Sequence, residues 1–241
     1  MDELLSSTLL FFRKFLKTYA YLAICILFGI ASIGYITTGV WVFFYLPNDY
    51  LQGNLVKIMY IHVPCAWISL ISYVFLGILS TFYLIYQDKV CSIIANAVTI
   101  VSLNTCFITL VTGSIWGKAA WGTWWIWDPR LTAVFIQFCL LSVCYILRSI
   151  GNNNSTLEQS SALLTIVGLI NIPIIKFAVN AWNSIHQDSS VFRVDGVKIH
   201  QDLFYPLLLS FFSIGCLYLA ITILITKNSL EEIKLRRVIT N

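Results

Sequence analysis

The sequence predicts an all-α fold: a polytopic membrane protein of six transmembrane helices, joined by short connections and carrying one tryptophan-rich external loop. Three observations lead there. Of the 241 residues, 59% are hydrophobic and only 11% are Asp, Glu, Lys or Arg, against roughly 25% charged residues in soluble domains. That is too little charge to cover a globule of this size, which excludes a water-soluble fold. The charges also gather into short runs that separate six long apolar stretches. Each stretch approaches or exceeds the roughly 20 residues that cross a bilayer at 1.5 Å rise per residue.

The first stretch, 19–46, follows Arg13, Lys14 and Lys17 in the manner of a signal peptide. It is too long for a signal h-region and lacks an A-x-A cleavage site, so it is expected to remain as an uncleaved anchor. The second covers 58–85 and has His62 near its beginning; the third covers 91–115. The fourth, 131–148, is opened by Asp128 and Pro129, a good N-cap followed by the residue favoured at the first helical position. The fifth, 160–181, holds Pro173, read as a kink or a helix contact, and Lys176, which has to snorkel or find a polar partner. The sixth covers 203–226. No repeat, soluble module or nucleotide-binding motif interrupts this series, so one six-helix domain is expected over 1–241, with an external loop at 116–130.

Orientation follows from the basic residues outside the spans. One side carries Arg13, Lys14, Lys17, Lys89, Arg148, Lys227, Lys234, Arg236 and Arg237; the other carries Lys57, Lys118, Arg130, Arg193 and Lys198. The excess places both termini in the cytoplasm. The net charge of +4 is then a topological signal and not a sign of nucleic-acid affinity. Seven cysteines include no C-x-x-C pair and no C-x-x-C-H attachment motif, which argues against thiol redox chemistry and covalent haem carriage. Cys65 reads as a small buried apolar residue.

The connections after the first, third and fifth helices share one side and contain most of the unusual chemistry. The third reads W-G-K-A-A-W-G-T-W-W-I-W-D-P-R, so five of the eight tryptophans, Trp116, Trp121, Trp124, Trp125 and Trp127, fall within twelve residues. An interfacial aromatic belt explains Trp41 or Trp67 but not this density. If Trp121, Trp124 and Trp125 continue a helical turn, their i, i+3, i+4 spacing builds a flat apolar shelf at the membrane surface, suited to a large planar ligand. Asp128 reads first as a helix cap that fixes the loop. Arg130 and Lys118 are placed either to pair with ligand carboxylates or phosphates or to anchor in lipid headgroups. His62 and His186 lie on this same side. A single histidine near a helix end is ordinarily a hydrogen-bonded interfacial residue, but two flanking an aromatic shelf suit an iron porphyrin with an imidazole on each face. His200 lacks such surroundings and reads as a surface residue.

The run W-G-T-W-W-I-W-D-P-R resembles the WWD signature of the haem-handling superfamily. With I-H-V-P-C-A-W at 61–67, W-G-K-A-A-W-G at 116–122 and N-I-P-I-I-K-F-A-V-N-A-W-N-S-I-H-Q at 171–187, the chain is similar over nearly its whole length to the haem exporter protein C (CcmC) family of System I cytochrome c maturation. It departs from many members at Ala181, where they carry a further tryptophan, and over 188–202. The resemblance implies that His62 and His186 are axial ligands of haem b, and that Trp116 through Asp128, with Arg130, form its external platform. It further implies a non-enzymatic role: presenting haem at the periplasmic face of a bacterial inner membrane, or its organellar equivalent, to the haem chaperone CcmE. The implied assembly contains CcmD and the ABC-type subunits CcmA and CcmB. Two other readings of the residues stay open, a transmembrane haem permease and a bis-histidine b-type redox subunit.

Overall fold

The computed structural model describes residues 18–49, 52–150, 154–182, 184–186, 191 and 196–239. Arg13, Lys14, Lys17 and Arg193 of the charge argument lie outside the described residues, as does part of the 188–202 region. Among the described residues, six helical stretches are long and apolar enough to cross a membrane: Ala20–Tyr45, Asn54–Tyr86, Lys89–Trp121, Pro129–Ile150, Ser155–Val179 and Gln201–Leu235. They match the six expected spans in order. The chain is an all-α polytopic membrane protein.

The helices are α1 (Ala20–Val40, closed by a wider turn over Trp41–Tyr45), α2 (Met59–Tyr86, entered through a 3-10 turn over Asn54–Ile58), α3 (Lys89–Trp121), α4 (Pro129–Ile150), α5 (Ser155–Gly168), α6 (Asn171–Ala181) and α7 (Gln201–Ile239). The fifth span is thus two helices. Pro173 has no N–H for the Leu169 carbonyl and its ring would collide with that carbonyl, so the helix breaks at Leu169 and Ile170 and restarts as α6. The expected kink is therefore a break, and it lets α6 take its own direction toward α4.

α2 and α3 pack along their lengths at the centre. α7 joins them on one side with α1 outside it, while α4 and α5 close the other. Tyr73, Leu76, Leu79, Ala95, Val98, Cys106 and Leu141 form the core between α2, α3 and α4. Burying a leucine or valine of this set contributes about 1.5 to 3 kcal/mol where it leaves water. Within a bilayer, selectivity between helix faces comes more from close packing and hydrogen bonds. Gly34 illustrates the packing: a Cβ there would run into the Ser213 side chain of α7, which would have to turn away, so glycine suits the close approach of α1 to α7. The hydrogen bonds include Ser102 Oγ to Ser72 Oγ at 2.6 Å between α3 and α2. Pro64 deprives the Tyr60 carbonyl of its helical donor, and the Ser210 hydroxyl from α7 supplies one instead. Cys65 is buried against Ile68, Val101 and Ile214, as expected of a small apolar residue.

The end opposite the tryptophan connection is closed by buried charge. Glu158 accepts from Lys89 and from Ser92 Oγ at 2.8 Å, while Arg148, also buried, donates to Ser80 Oγ at 3.4 Å. Lys227, within α7, pairs with Glu231 and lies over the Tyr21 ring of α1.

Candidate functional site

α3 runs six residues beyond the predicted end of the third span, so Trp116 and Trp121 sit on its last turns. Gly122 then ends the helix in the left-handed conformation (φ 79°), its N–H bonding to the Lys118 carbonyl. This corrects the expected shelf: Trp121 is helical, whereas Trp124 and Trp125 belong to the irregular segment after it and share no helical face with it. The segment folds back on α3, held by Ser114 Oγ to the Trp124 carbonyl at 2.7 Å and Lys118 Nζ to the Gly122 carbonyl at 2.9 Å. Trp124 and Trp127 consequently face outward, 58% and 74% exposed, with Lys118 alongside Trp124. Lys118 is spent on this turn and is not among the groups that line the cavity at this end.

What forms is a cavity of about 650 Å³ rather than a surface shelf, within the size range of small-molecule sites. His62, Trp116, Trp121, Trp125, Arg130 and His186 all line it. They come from the first turn of α2, the last turns of α3, the connection, the first turn of α4 and the connection after α6. The cavity also descends between the helices to Ile71, twelve residues or about 18 Å along α2 from Met59. Its lower walls are apolar, including Leu70, Leu110 and Val134, and Ser69 and Gln137 provide polar groups at that depth.

Each imidazole is held by specific neighbours. His62 Nδ1 lies 3.0 Å from Thr112 Oγ1. Its ring meets the edge of Trp116 at 5.7 Å between centroids and 89° between planes. A Cβ on Gly113 would come within 2.9 Å of His62 Cε1, so that glycine makes room for the ring. Trp116 is itself fixed by its indole N–H, which donates to Gln52 Oε1 at 3.0 Å. His186 is approached by Trp121, 6.3 Å between centroids, and by Arg130 Nη1, 3.2 Å from His186 Nδ1. Arg130 also donates through Nε to the Ile175 carbonyl at 3.3 Å and through Nη2 to the Lys176 carbonyl at 3.5 Å, which ties α4 to α6.

Asp128 joins these parts. Oδ1 accepts from the backbone N–H of Arg130 at 2.9 Å and of Leu131 at 3.4 Å, the expected N-cap. Oδ2 accepts from Ser184 Oγ at 2.6 Å and Ile185 N–H at 3.0 Å, and Ser184 Oγ in turn accepts from His186 N–H at 3.1 Å. The carboxylate, 4% exposed, therefore clasps the His186 connection to the start of α4. Burial pushes its pKa up, but the Ser184 and backbone hydrogen bonds outweigh it and hold the carboxyl below its ordinary value. His200 stands outside the cavity, exposed and 3.4 Å from Asp202, the surface position anticipated.

Gln52, Thr112, Gly113 and Ser184 were not visible as site residues in the sequence. Each is an ordinary residue whose importance arises from a partner 50 or more positions away: Thr112 from His62, Gln52 from Trp116, Ser184 from Asp128. No local motif marks them.

Fold and site together define a six-span membrane protein with a cavity at one end, lined by indole, imidazole and guanidinium groups. A profile of the family described as heme exporter protein C (CcmC) matches residues 10–240. The chain is 38% identical over 192 residues to a heme exporter protein C of Bradyrhizobium diazoefficiens, covering 80% of this chain and 72% of that one. It is 38% identical over 174 residues to a ccmC-like mitochondrial protein of cytochrome c biosynthesis from Marchantia polymorpha, 72% of each chain. A heme exporter protein C of Haemophilus influenzae is 36% identical over 184 residues, 76% of this chain and 75% of the relative. The chain belongs to the heme exporter protein C family.

Proposed function

We propose that this chain binds haem b in the cavity at the tryptophan-rich end, with His62 and His186 as axial ligands, and presents it to the haem chaperone CcmE during c-type cytochrome biogenesis. The observation that carries this is the meeting of two imidazoles, three indoles and one guanidinium on the walls of a single cavity. Imidazole nitrogens suit iron, the rings of Trp116, Trp121 and Trp125 suit the porphyrin edges, and Arg130 suits a propionate. The relatives' printed names, heme exporter and cytochrome c biosynthesis, agree with this cargo. Haem is the ligand handed on, so the chain's part is ligand exchange and orientation and not catalysis.

On this reading the cavity end faces the periplasm or its organellar equivalent and both termini are cytoplasmic. CcmD, CcmA and CcmB complete the assembly. Trp124 and Trp127, exposed beside the cavity, are then placed to meet an arriving partner, since exposed aromatic side chains are favoured at interfaces. Presentation is preferred to permeation because Tyr73, Leu76 and Leu141, each 0% exposed, fill the bundle beneath the cavity.

The test is to purify the protein in mild detergent with haem supplied, with and without the combined His62→Ala and His186→Ala changes, and to record oxidised and reduced visible spectra. A haem spectrum in the parent that disappears in the double variant is expected. Equal haem retention in both refutes the assignment.

A further inference from the structure

One short run of α3, T-G-S-I-W at 112–116, supplies three of the groups that meet the His62 ring: the Thr112 hydroxyl, the space at Gly113 and the edge of Trp116. The hydroxyl decides something the other two do not, namely which ring nitrogen carries the proton. Thr112 Oγ1 stands 2.6 Å from the Ile108 carbonyl oxygen and 3.3 Å from that of Thr109. Two oxygens approach to 2.6 Å only with a proton between them, so the single hydroxyl proton is directed to the helix backbone. Toward His62 Nδ1, at 3.0 Å, Thr112 has only lone pairs to offer. The Thr109 carbonyl, which also bears on this ring, is likewise an acceptor. A neutral imidazole facing acceptors donates, and His62 donates to Thr112 through Nδ1. Its Nε2 is then the nitrogen with the free electron pair.

We infer that Thr112 is a positioning residue that fixes the tautomer of His62, so that this imidazole stands ready to bind iron through Nε2 before any haem arrives. The inference rests on the haem reading above and adds which nitrogen of His62 binds and what tunes it. A metal needs an electron pair, and a ring that holds its proton on Nδ1 has neither to lose that proton nor to move it before Nε2 can bind. The partner's chemistry also sets the strength of the bond. An imidazole whose N–H faces a carboxylate is made more basic and favours the higher oxidation state of iron. One whose N–H faces a neutral hydroxyl stays a weaker donor, suited to a ligand that is later handed on. Valine at 112 keeps the shape of threonine but offers the N–H no acceptor, which weakens the donor further and favours ferrous over ferric iron. Serine keeps the hydroxyl, and with it the tautomer.

The experiment begins on the empty protein. The full-length chain, labelled with nitrogen-15 in its histidines and held in detergent at about pH 8, above the ordinary histidine range, is examined by proton–nitrogen correlation NMR. The His62 signals are those lost in His62→Ala. The parent and Thr112→Ser are expected to carry the His62 proton on Nδ1, and Thr112→Val to shift toward a proton on Nε2, the form free histidine prefers. Parent, serine and valine proteins are then titrated with ferric haem and their reduction potentials measured. Thr112→Val is expected to bind about fivefold more weakly for the loss of one hydrogen bond, with a more positive potential, while Thr112→Ser matches the parent in both. A parent that carries the His62 proton on Nε2 overturns the inference alone, whatever haem does. A Thr112→Val protein with the parent's tautomer and potential overturns it as well. A parent with the proton on Nδ1 that takes up no haem refutes the haem reading, and the iron-binding role inferred here with it.

Discussion

Replacing Asp128 with Asn separates the cap from the clasp. Asn is as good an N-cap as Asp, so its side-chain oxygen continues to accept from Arg130 and Leu131 N–H and α4 starts where it does now. The other carboxylate oxygen becomes an NH2 that faces the Ser184 hydroxyl and the Ile185 N–H, two groups that now donate to it. Leaving a buried donor without an acceptor costs about 1 to 3 kcal/mol. Taking about 2 kcal/mol for the site as a whole, the equilibrium between clasped and released connection shifts roughly 30-fold. Ser184 Oγ also orients His186 through its backbone N–H, so the release reaches the imidazole directly. Haem titration of the purified variant is expected to show affinity weakened by up to about 30-fold, with helical content unchanged. Affinity within threefold of the parent refutes the clasp. The same carboxylate carries a pH signature. Its folded pKa lies below the ordinary value, so its stabilisation is complete above pH ~4, where the unfolded carboxyl is also ionised, and is lost as pH falls through the depressed folded value. Thermal midpoints measured on descending pH should show this acid loss in the parent and not in the Asn variant.

Three further outcomes follow from the geometry. Gly113→Ala puts a methyl group 2.9 Å from His62 Cε1, so the ring must turn and haem affinity should fall, whereas Gly215→Ala, with open space at that position, should leave binding unchanged; equal titrations for both variants contradict the packing. Thr112→Val keeps the shape of the side chain but removes the acceptor for His62 Nδ1, and a several-fold loss of haem affinity without a change in thermal midpoint is expected in paired titration and unfolding measurements. Glu158→Ala removes the buried carboxylate that Lys89 and Ser92 donate to at the far end; the Lys89 side chain is 49% exposed and can turn to water, so the loss is about 1 to 3 kcal/mol, and the thermal midpoint should drop while the haem spectrum of the folded protein stays that of the parent.

Much of this arrangement was legible in the sequence because it depends on local or periodic signals. Six apolar stretches at spanning length, Asp128 before Pro129 at a helix start, and the parity that brings the connections after the first, third and fifth spans to one side all follow from short-range rules. The cavity does not. It exists because α3 continues to Trp121 and stops at Gly122, which places Trp116 and Trp121 on a wall while Trp124 and Trp127 turn outward. The apolar residues before 116 and the aromatic ones after it give no sharp hydropathy edge from which that stop can be read. The roles of Thr112, Gln52 and Ser184 are long-range by nature, since each bonds to a site residue brought near only by helix packing. Lys118 shows the converse: its charge suited a ligand anion or lipid headgroups equally, but the Gly122 carbonyl created by the helix stop captures it.

The central claim is that His62 and His186 hold one haem between them, and single variants test it most directly. His62→Ala, His186→Ala and His200→Ala should each be loaded with ferric haem under the same conditions and examined by electron paramagnetic resonance. The account predicts a bis-imidazole low-spin signal in the parent and in His200→Ala, and its loss in each of the other two. A low-spin bis-imidazole signal that survives in either His62→Ala or His186→Ala, or that vanishes with His200→Ala, would contradict it.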